Sequence, residues 1–225
     1  ALFDHLLTCR TPPVLLTGSS QGEYAALVCS GAIDFATMFE VNIARHKICG
    51  QPNSLGYLMA VAASPTSITD MLSAYDIYIS IVNCPERSVI AIPSDKLDLV
   101  KDVLHQKGIG AKLLEISHPY HSPLMQLAAK QFHSWLEKYG LQFQMPQIEV
   151  LSSVTHTFIT SPMASIEAVK LISRQLTEPV DFLSQIELAY LKRCFAFLEV
   201  GPGATLSHSV QKTLRAQEHK ILDIY

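Results

Sequence analysis

Residues 15–31 read LLTGSSQGEYAALVCSG, and Ser20 stands in them between Gly18 and Gly22. An apolar run precedes this G-x-S-x-G string and a helical pattern follows it, which is the context of a nucleophile on a tight strand-to-helix turn. Flanking glycines permit the strained backbone there, and the turn lifts the serine Oγ into the open. The next amide, that of Gln21, points outward at the start of a helix, where unpaired N–H groups and the helix dipole favour an oxyanion. The same string also reads as a glycine-rich turn with a capping serine. A serine nucleophile needs a base, and histidine has the unperturbed pKa for that task near neutrality. Of nine histidines, His118 and His121 in ISHPYHSPLM are the candidates. They fall where a smaller unit of the chain returns to the larger one, at the lip of an inter-domain cleft. They also read as a pair of ordinary loop histidines.

The elements that must position these groups follow from periodicity. PPVLLTGSS is a buried strand ending in the turn, and GEYAALVCSGAIDFATMFEVNIARHKI holds two helices, with Gly31 suited to end the first and Asp34 to cap the second. Then come a strand (58–63), a helix (67–75), two strands (77–82 and 88–93), a helix (95–107) and a strand (111–116). That β-α-β-β-α-β order is the ferredoxin-like arrangement. An amphipathic helix is expected to end at Gly140, with strands at 148–154 and 194–200 and helices between and after them. The fold class read from this is α/β. A hydrolase-like parallel-sheet core is formed by residues 1–56 and 117–225, with a ferredoxin-like small subdomain, residues 57–116, inserted in it.

Composition narrows the function. The chain has 225 residues, 48% of them apolar, which is enough for a large core. A formal charge of -3 leaves no excess of cations to neutralise a nucleic-acid backbone. No run approaches the roughly 18 apolar residues of a membrane span, so no membrane partner is expected and the chain reads as cytoplasmic. The five cysteines are odd in number, scattered and expected to be reduced, and no histidine spacing supports a metal site.

TGSSQGEYAALVCSGAIDF resembles the G-H-S-x-G-E-Y-A-A region of malonyl-CoA:acyl-carrier-protein transacylases and of the acyltransferase domains of polyketide and fatty acid synthases. HPYHSPLM resembles that family's H-A-F-H-S signature, RQLTEPVDF a later segment, and FLEVGPGATLS its E-V-G-P-G strand and turn, all in the family's order. The resemblance implies that Ser20 is acylated, that His121 is the base, and that a backbone carbonyl at Gln175 orients the imidazole in place of an acid. It implies that Arg45 holds the free carboxylate of a malonyl-type group, a task its paired donors suit. It places Asn83 near the acyl pocket, a position that also reads as a strand-end turn residue. It makes acyl-CoA the donor, with no permanently bound cofactor, and makes the phosphopantetheine thiol of an acyl carrier protein the acceptor, with neighbouring synthase domains as further partners.

His118 and Tyr120 resemble the malonyl-type tetrapeptide, whereas Gln21 resembles the S-Q-G-E of methylmalonyl-type domains. The ring is expected to act on the acyl α-carbon and Gln21 mainly through its backbone, which favours malonyl. Two features depart from the family. Ser19 replaces the usual histidine, and Ser20 lies nearer the N-terminus than in the family, whose PGQGSQ-like loop supplies a second oxyanion donor. ALFDHLLTCRTPP reads as the tail of a helix already under way, so the N-terminal part is expected to be truncated. Two alternatives use the same features: an acyl-carrier-protein hydrolase or editing thioesterase, and a non-catalytic carrier-protein docking domain.

Overall fold

The computed structural model describes residues 2–9, 12–50, 55–116 and 118–222. Residues 51–54 and Ser117, at the edges of the expected small subdomain, lie outside the described residues. Helix α1 (Leu2–Cys9) precedes a three-residue strand, β1 (Leu15–Thr17), which feeds α2 (Gln21–Cys29) and α3 (Phe35–Cys49). Gly31 ends the first of these helices at φ 78°, and Asp34 caps the second, its Oδ1 accepting the Thr37 amide at 2.9 Å.

A smaller sheet unit follows: β2 (Gly56–Val61), α4 (Pro65–Leu72), β3 (Tyr78–Cys84), β4 (Arg87–Pro93), α5 (Leu97–Gln106) and β5 (Ala111–Leu113). Its strands lie in the order β5-β2-β4-β3, every neighbouring pair antiparallel. Side-chain alternation splits the strand residues between two faces. Met59, Val61, Ile90 and Ile92 pack with Ile68 and Leu72 of α4 and Val100 and Leu104 of α5. Leu58, Val89 and Ala91 point the other way, against Tyr120 and Leu124. The loop carrying both candidate histidines therefore rests on the second face of this sheet.

The larger body resumes with α6 (Gln126–Tyr139), closed by Gly140 in the left-handed conformation, then β6 (Glu149–Leu151), β7 (Phe158–Ile159) and α7 (Ser165–Arg174). Next come β8 (Val180–Asp181), α8 (Phe182–Leu191), β9 (Ala196–Leu198), α9 (Thr205–Thr213) and β10 (Lys220–Leu222). β1 runs parallel to β6, as expected, and β7 adds an antiparallel edge. The core sheet is not continuous among the described residues. β9 hydrogen-bonds only to β10, in a parallel β-α-β unit, and β8 leaves the larger body to extend the small sheet beside β3. A sheet continues only where main-chain groups meet, and these two- and three-residue strands each find their partner on one side. The main core gathers Tyr24 and Leu27 from α2, Val41 from α3, Phe132 and Leu136 from α6 and Ile172 from α7. No helix among the described residues is long and apolar enough to cross a membrane.

Candidate active site

The turn between β1 and α2 is tight because Gly18 makes it so. A Cβ at Gly18 would lie 2.1 Å from the carbonyl carbon of Gly22, whereas one at Gly22 would meet nothing within 4 Å. Of the two glycines in the string, only the first is demanded by contact. Ser20 sits at φ 54°, a region that a non-glycine residue rarely adopts. The amides of Gly22 and Glu23 close onto the carbonyls of Ser19 and Ser20 at 2.9 and 3.1 Å. The Gln21 amide, one place earlier, has no backbone acceptor among the described residues, and the Gln21 side chain turns outward to Asn42. Ser20 does not use its hydroxyl to cap the helix. Instead, Oγ lies 2.6 Å from Nε2 of His121, 101 positions away.

His121 is also held at positive φ, 60°. Its amide donates to the Leu176 carbonyl at 2.9 Å, and the carbonyl of the preceding Tyr120 accepts from Ser80 of β3 at 2.9 Å. The ring donates Nδ1–H to the Glu178 carbonyl at 3.2 Å. A carbonyl only accepts, so Nδ1 carries the proton and Nε2 is free to accept from Oγ. Two backbone carbonyls act on the ring: that of Glu178, three residues on, is the hydrogen-bonded one at 3.2 Å, and that of Gln175, the expected partner, is the weaker influence. The amide side chain of Gln175 serves the nucleophile instead, its Nε2 donating to the Ser20 carbonyl at 3.2 Å and to Glu23 Oε2 at 2.9 Å. Burial, followed by the charge of Arg45, pushes the His121 pKa down to about 4, so the imidazole is neutral at physiological pH.

Arg45 projects from α3 into the same region and is only 3% exposed. Its guanidinium carbon stands 4.3 Å from the centroid of the Tyr120 ring and 5.9 Å from that of Tyr24. Among the described residues no carboxylate pairs with it, and its Nε has no hydrogen-bond partner. Aromatic faces stabilise a cation by about 0.5–2 kcal/mol, far less than burying it costs. Tyr24 is fully enclosed, and burial pushes its pKa up to about 12. The Tyr120 hydroxyl reaches His118 Nδ1 at 3.3 Å, and burial lowers the His118 pKa.

Ser20, Gln21, Arg45, His118, Tyr120, His121 and Gln175 thus converge. Asn83 is not hydrogen-bonded to them among the described residues: it sits at an irregularity of β3 between Val82 and Cys84. Four residues around the site escaped sequence reasoning. Glu178 holds the base, and Glu23 accepts from Ser153 as well as from Gln175. Gln185 steadies the end of β1 through the Thr17 hydroxyl, at 2.7 Å. The S-x-x-E spacing of Ser20 and Glu23 is a signal, since it spells a helix-capping box whose two side chains are here both diverted. A cleft of about 480 Å³ opens beside His121 and Glu178, walled by Thr69 of α4, by Ser73 just after that helix, and by Ile77 and Tyr78.

The polyketide synthase GfsA of Streptomyces halstedii is 31% identical over 219 residues, covering 95% of this chain and 3% of that protein. The mycoketide-CoA synthase of Mycobacterium tuberculosis (strain ATCC 25618 / H37Rv) is 28% identical over 214 residues, covering 95% of this chain and 5% of its own length. The chain therefore spans a small part of these curated relatives. Among solved structures, an acyl carrier protein S-malonyltransferase from Vibrio cholerae O1 biovar eltor superposes with a TM-score of 0.84 at 25% identity, covering 98% of this chain and 74% of that one. The acyltransferase domain from the second module of the salinomycin polyketide synthase gives 0.79 at 24% identity, covering 94% and 49%. The sequence pattern described as the acyl transferase domain matches residues 1–224, the whole span over which strand, elbow serine and returning histidine are laid out, and the chain belongs to that family.

Proposed function

We propose that the protein moves a malonyl-type acyl group from coenzyme A through an acyl-serine intermediate to the phosphopantetheine thiol of an acyl carrier protein. The observation that carries this reading is the 2.6 Å Ser20–His121 contact beside a buried guanidinium that has no acid partner among the described residues. His121 Nε2 takes the Ser20 proton as Oγ attacks the thioester carbonyl. The Gln21 amide faces the developing oxyanion, and Arg45 receives the malonyl carboxylate through its paired donors. Collapse expels the CoA thiolate, which takes the proton from His121 and leaves as the thiol. The carrier thiol then gives its proton to His121 as its sulfur attacks the acyl-serine, and on collapse the departing Ser20 oxygen takes that proton from His121, which restores the serine. Tyr120, lying over Arg45, crowds the acyl α-carbon and supports malonyl over its α-methyl homologue. A solved complex of an acyl-carrier protein with its malonyl-transacylase, of similar fold (TM-score 0.85), supports the carrier as acceptor.

The small sheet, with its order β5-β2-β4-β3, supports the ferredoxin-like reading of residues 57–116. The parallel β1–β6 pair and the elbow support the hydrolase-like reading of the core.

Intact mass after incubation with malonyl-CoA tests the proposal. A malonyl adduct is expected on the parent chain and none on Ser20→Ala. Arg45→Ala is expected to slow malonyl loading about 10- to 100-fold, the worth of hydrogen bonds to a charged group, while sparing acetyl loading. Release of free malonate in place of acylated carrier would identify a hydrolase. Absence of any adduct, with Ser20→Ala behaving like the parent, would identify a docking domain.

A further inference from the structure

One buried acidic group lies outside this scheme. Glu23, in the first turn of α2, is fully buried, 0% exposed. Three residues behind Ser20, its default partner would be the amide at the helix start, yet Oε2 instead accepts from Ser153 Oγ at 2.5 Å and from Gln175 Nε2 at 2.9 Å. The Gln175 amide nitrogen has two hydrogens, and the second reaches the Ser20 carbonyl at 3.2 Å. From Gln175 the chain runs directly to the Leu176 carbonyl, which accepts the His121 amide, and to the Glu178 carbonyl, which accepts Nδ1 of its ring. One short segment therefore touches the nucleophile at one end and the base at the other.

We infer that Glu23 is a positioning residue: by fixing which way round the Gln175 amide lies, it locks the strained Ser20 turn to the segment that holds His121. A side-chain amide has a donating end and an accepting end of nearly equal size. Oε2 demands the donating end, which turns the same NH2 onto the Ser20 carbonyl. Without that oxygen the amide is free to rotate and set its own oxygen against the Ser20 carbonyl, and the repulsion relaxes the elbow. The inference rests on the acyl-serine reading for its consequence in turnover, but the locking itself is a matter of Ser20 reactivity.

The test measures the rate at which a fluorophosphonate labels Ser20, alongside malonyl-CoA loading. Glu23→Met removes the oxygen at nearly constant volume, and labelling is expected to slow about 10- to 100-fold, with the KM for malonyl-CoA unchanged because the Arg45 pocket is untouched. Glu23→Gln can keep an oxygen where Oε2 lies and turn its NH2 to the side of Oε1, which has no partner among the described residues. It is expected to recover the parental rate to within about threefold, a rescue that a purely volumetric role of Glu23 would not need. Because the two residues act as one unit, Glu23→Met combined with Gln175→Met is expected to be no slower than Gln175→Met alone. A folded Glu23→Met chain labelled at the parental rate, or losses that multiply in the double variant, overturns the inference. If Glu23→Met does not fold, Gln175→Met carries the test, and parental labelling there overturns it equally. A parent that takes the fluorophosphonate on Ser20 but no malonyl group removes the acyl-transfer reading while these comparisons still decide; a parent inert to both overturns the two together.

Discussion

The proposed base, His121, is held in its neutral form by its surroundings. Enclosure and the neighbouring Arg45 hold His121 at about 4 against an ordinary 6.5, so it is neutral over the range in which a free imidazole would titrate. Catalysis by the neutral form should therefore persist as pH falls through 6.5 and decline only near pH 4, which a profile of Ser20 labelling from pH 4 to 8 will show as a missing limb at 6.5. Removing the cation in Arg45→Ala is expected to move the remaining limb upward. The same shift bears on stability. Between about pH 6.5 and 4 the unfolded chain binds a proton that the folded one refuses, so His121 costs stability as pH falls through that window. Ser20, His121 and Arg45 were legible as candidates because their side chains carry reactive or charged groups, and the structure brings Ser20 within 2.6 Å of His121 with Arg45 buried nearby. Glu178 was not, since it acts through a carbonyl that every residue possesses, and the same blindness placed the orienting contact at Gln175, whose side chain has other work.

At the scale of elements, the strand-turn-helix unit depends on a backbone approach that leaves no room for a methyl group. Gly18→Ala would drive a Cβ to 2.1 Å from the Gly22 carbonyl carbon, and neither backbone can retreat without opening the elbow. The expected outcome is loss of Ser20 labelling together with a lowered melting temperature, while Gly22→Ala, facing open space, should label and melt close to the parent. Helix ends were readable because their chemistry is local: Asp34 caps α3 as expected, and Gly140 closes α6 in the left-handed conformation at φ 74°. Strand β8 was not, because two residues carry no period. Its pairing with Ile81 and Val82 is set by tertiary placement, and the discontinuity between β1 and β9 likewise depends on which main-chain groups meet. Near the C-terminus, Arg215 pairs with Glu86 at 3.2 Å, with both side chains largely exposed.

Across the whole molecule, α6 is the keel of the larger body. Phe132, with no exposed surface, joins α6 to the core of α2, α3 and α7, and Phe132→Ala is expected to cost about 3–5 kcal/mol in urea unfolding. Ser20 and His121, the proposed nucleophile and base, belong to different parts of this architecture. Ser20 hangs from β1, paired to β6, whereas Tyr120, one residue before the base, is bonded to Ser80 of β3, and Glu178, which holds the base, lies just before β8 at the rim of the same small sheet. The 2.6 Å contact is in effect a gauge laid across the seam between two sheets. A rocking of one sheet against the other by about an ångström would part Ser20 from His121 without disturbing either half, so whatever wedges into or clamps that seam acts directly on their hydrogen bond.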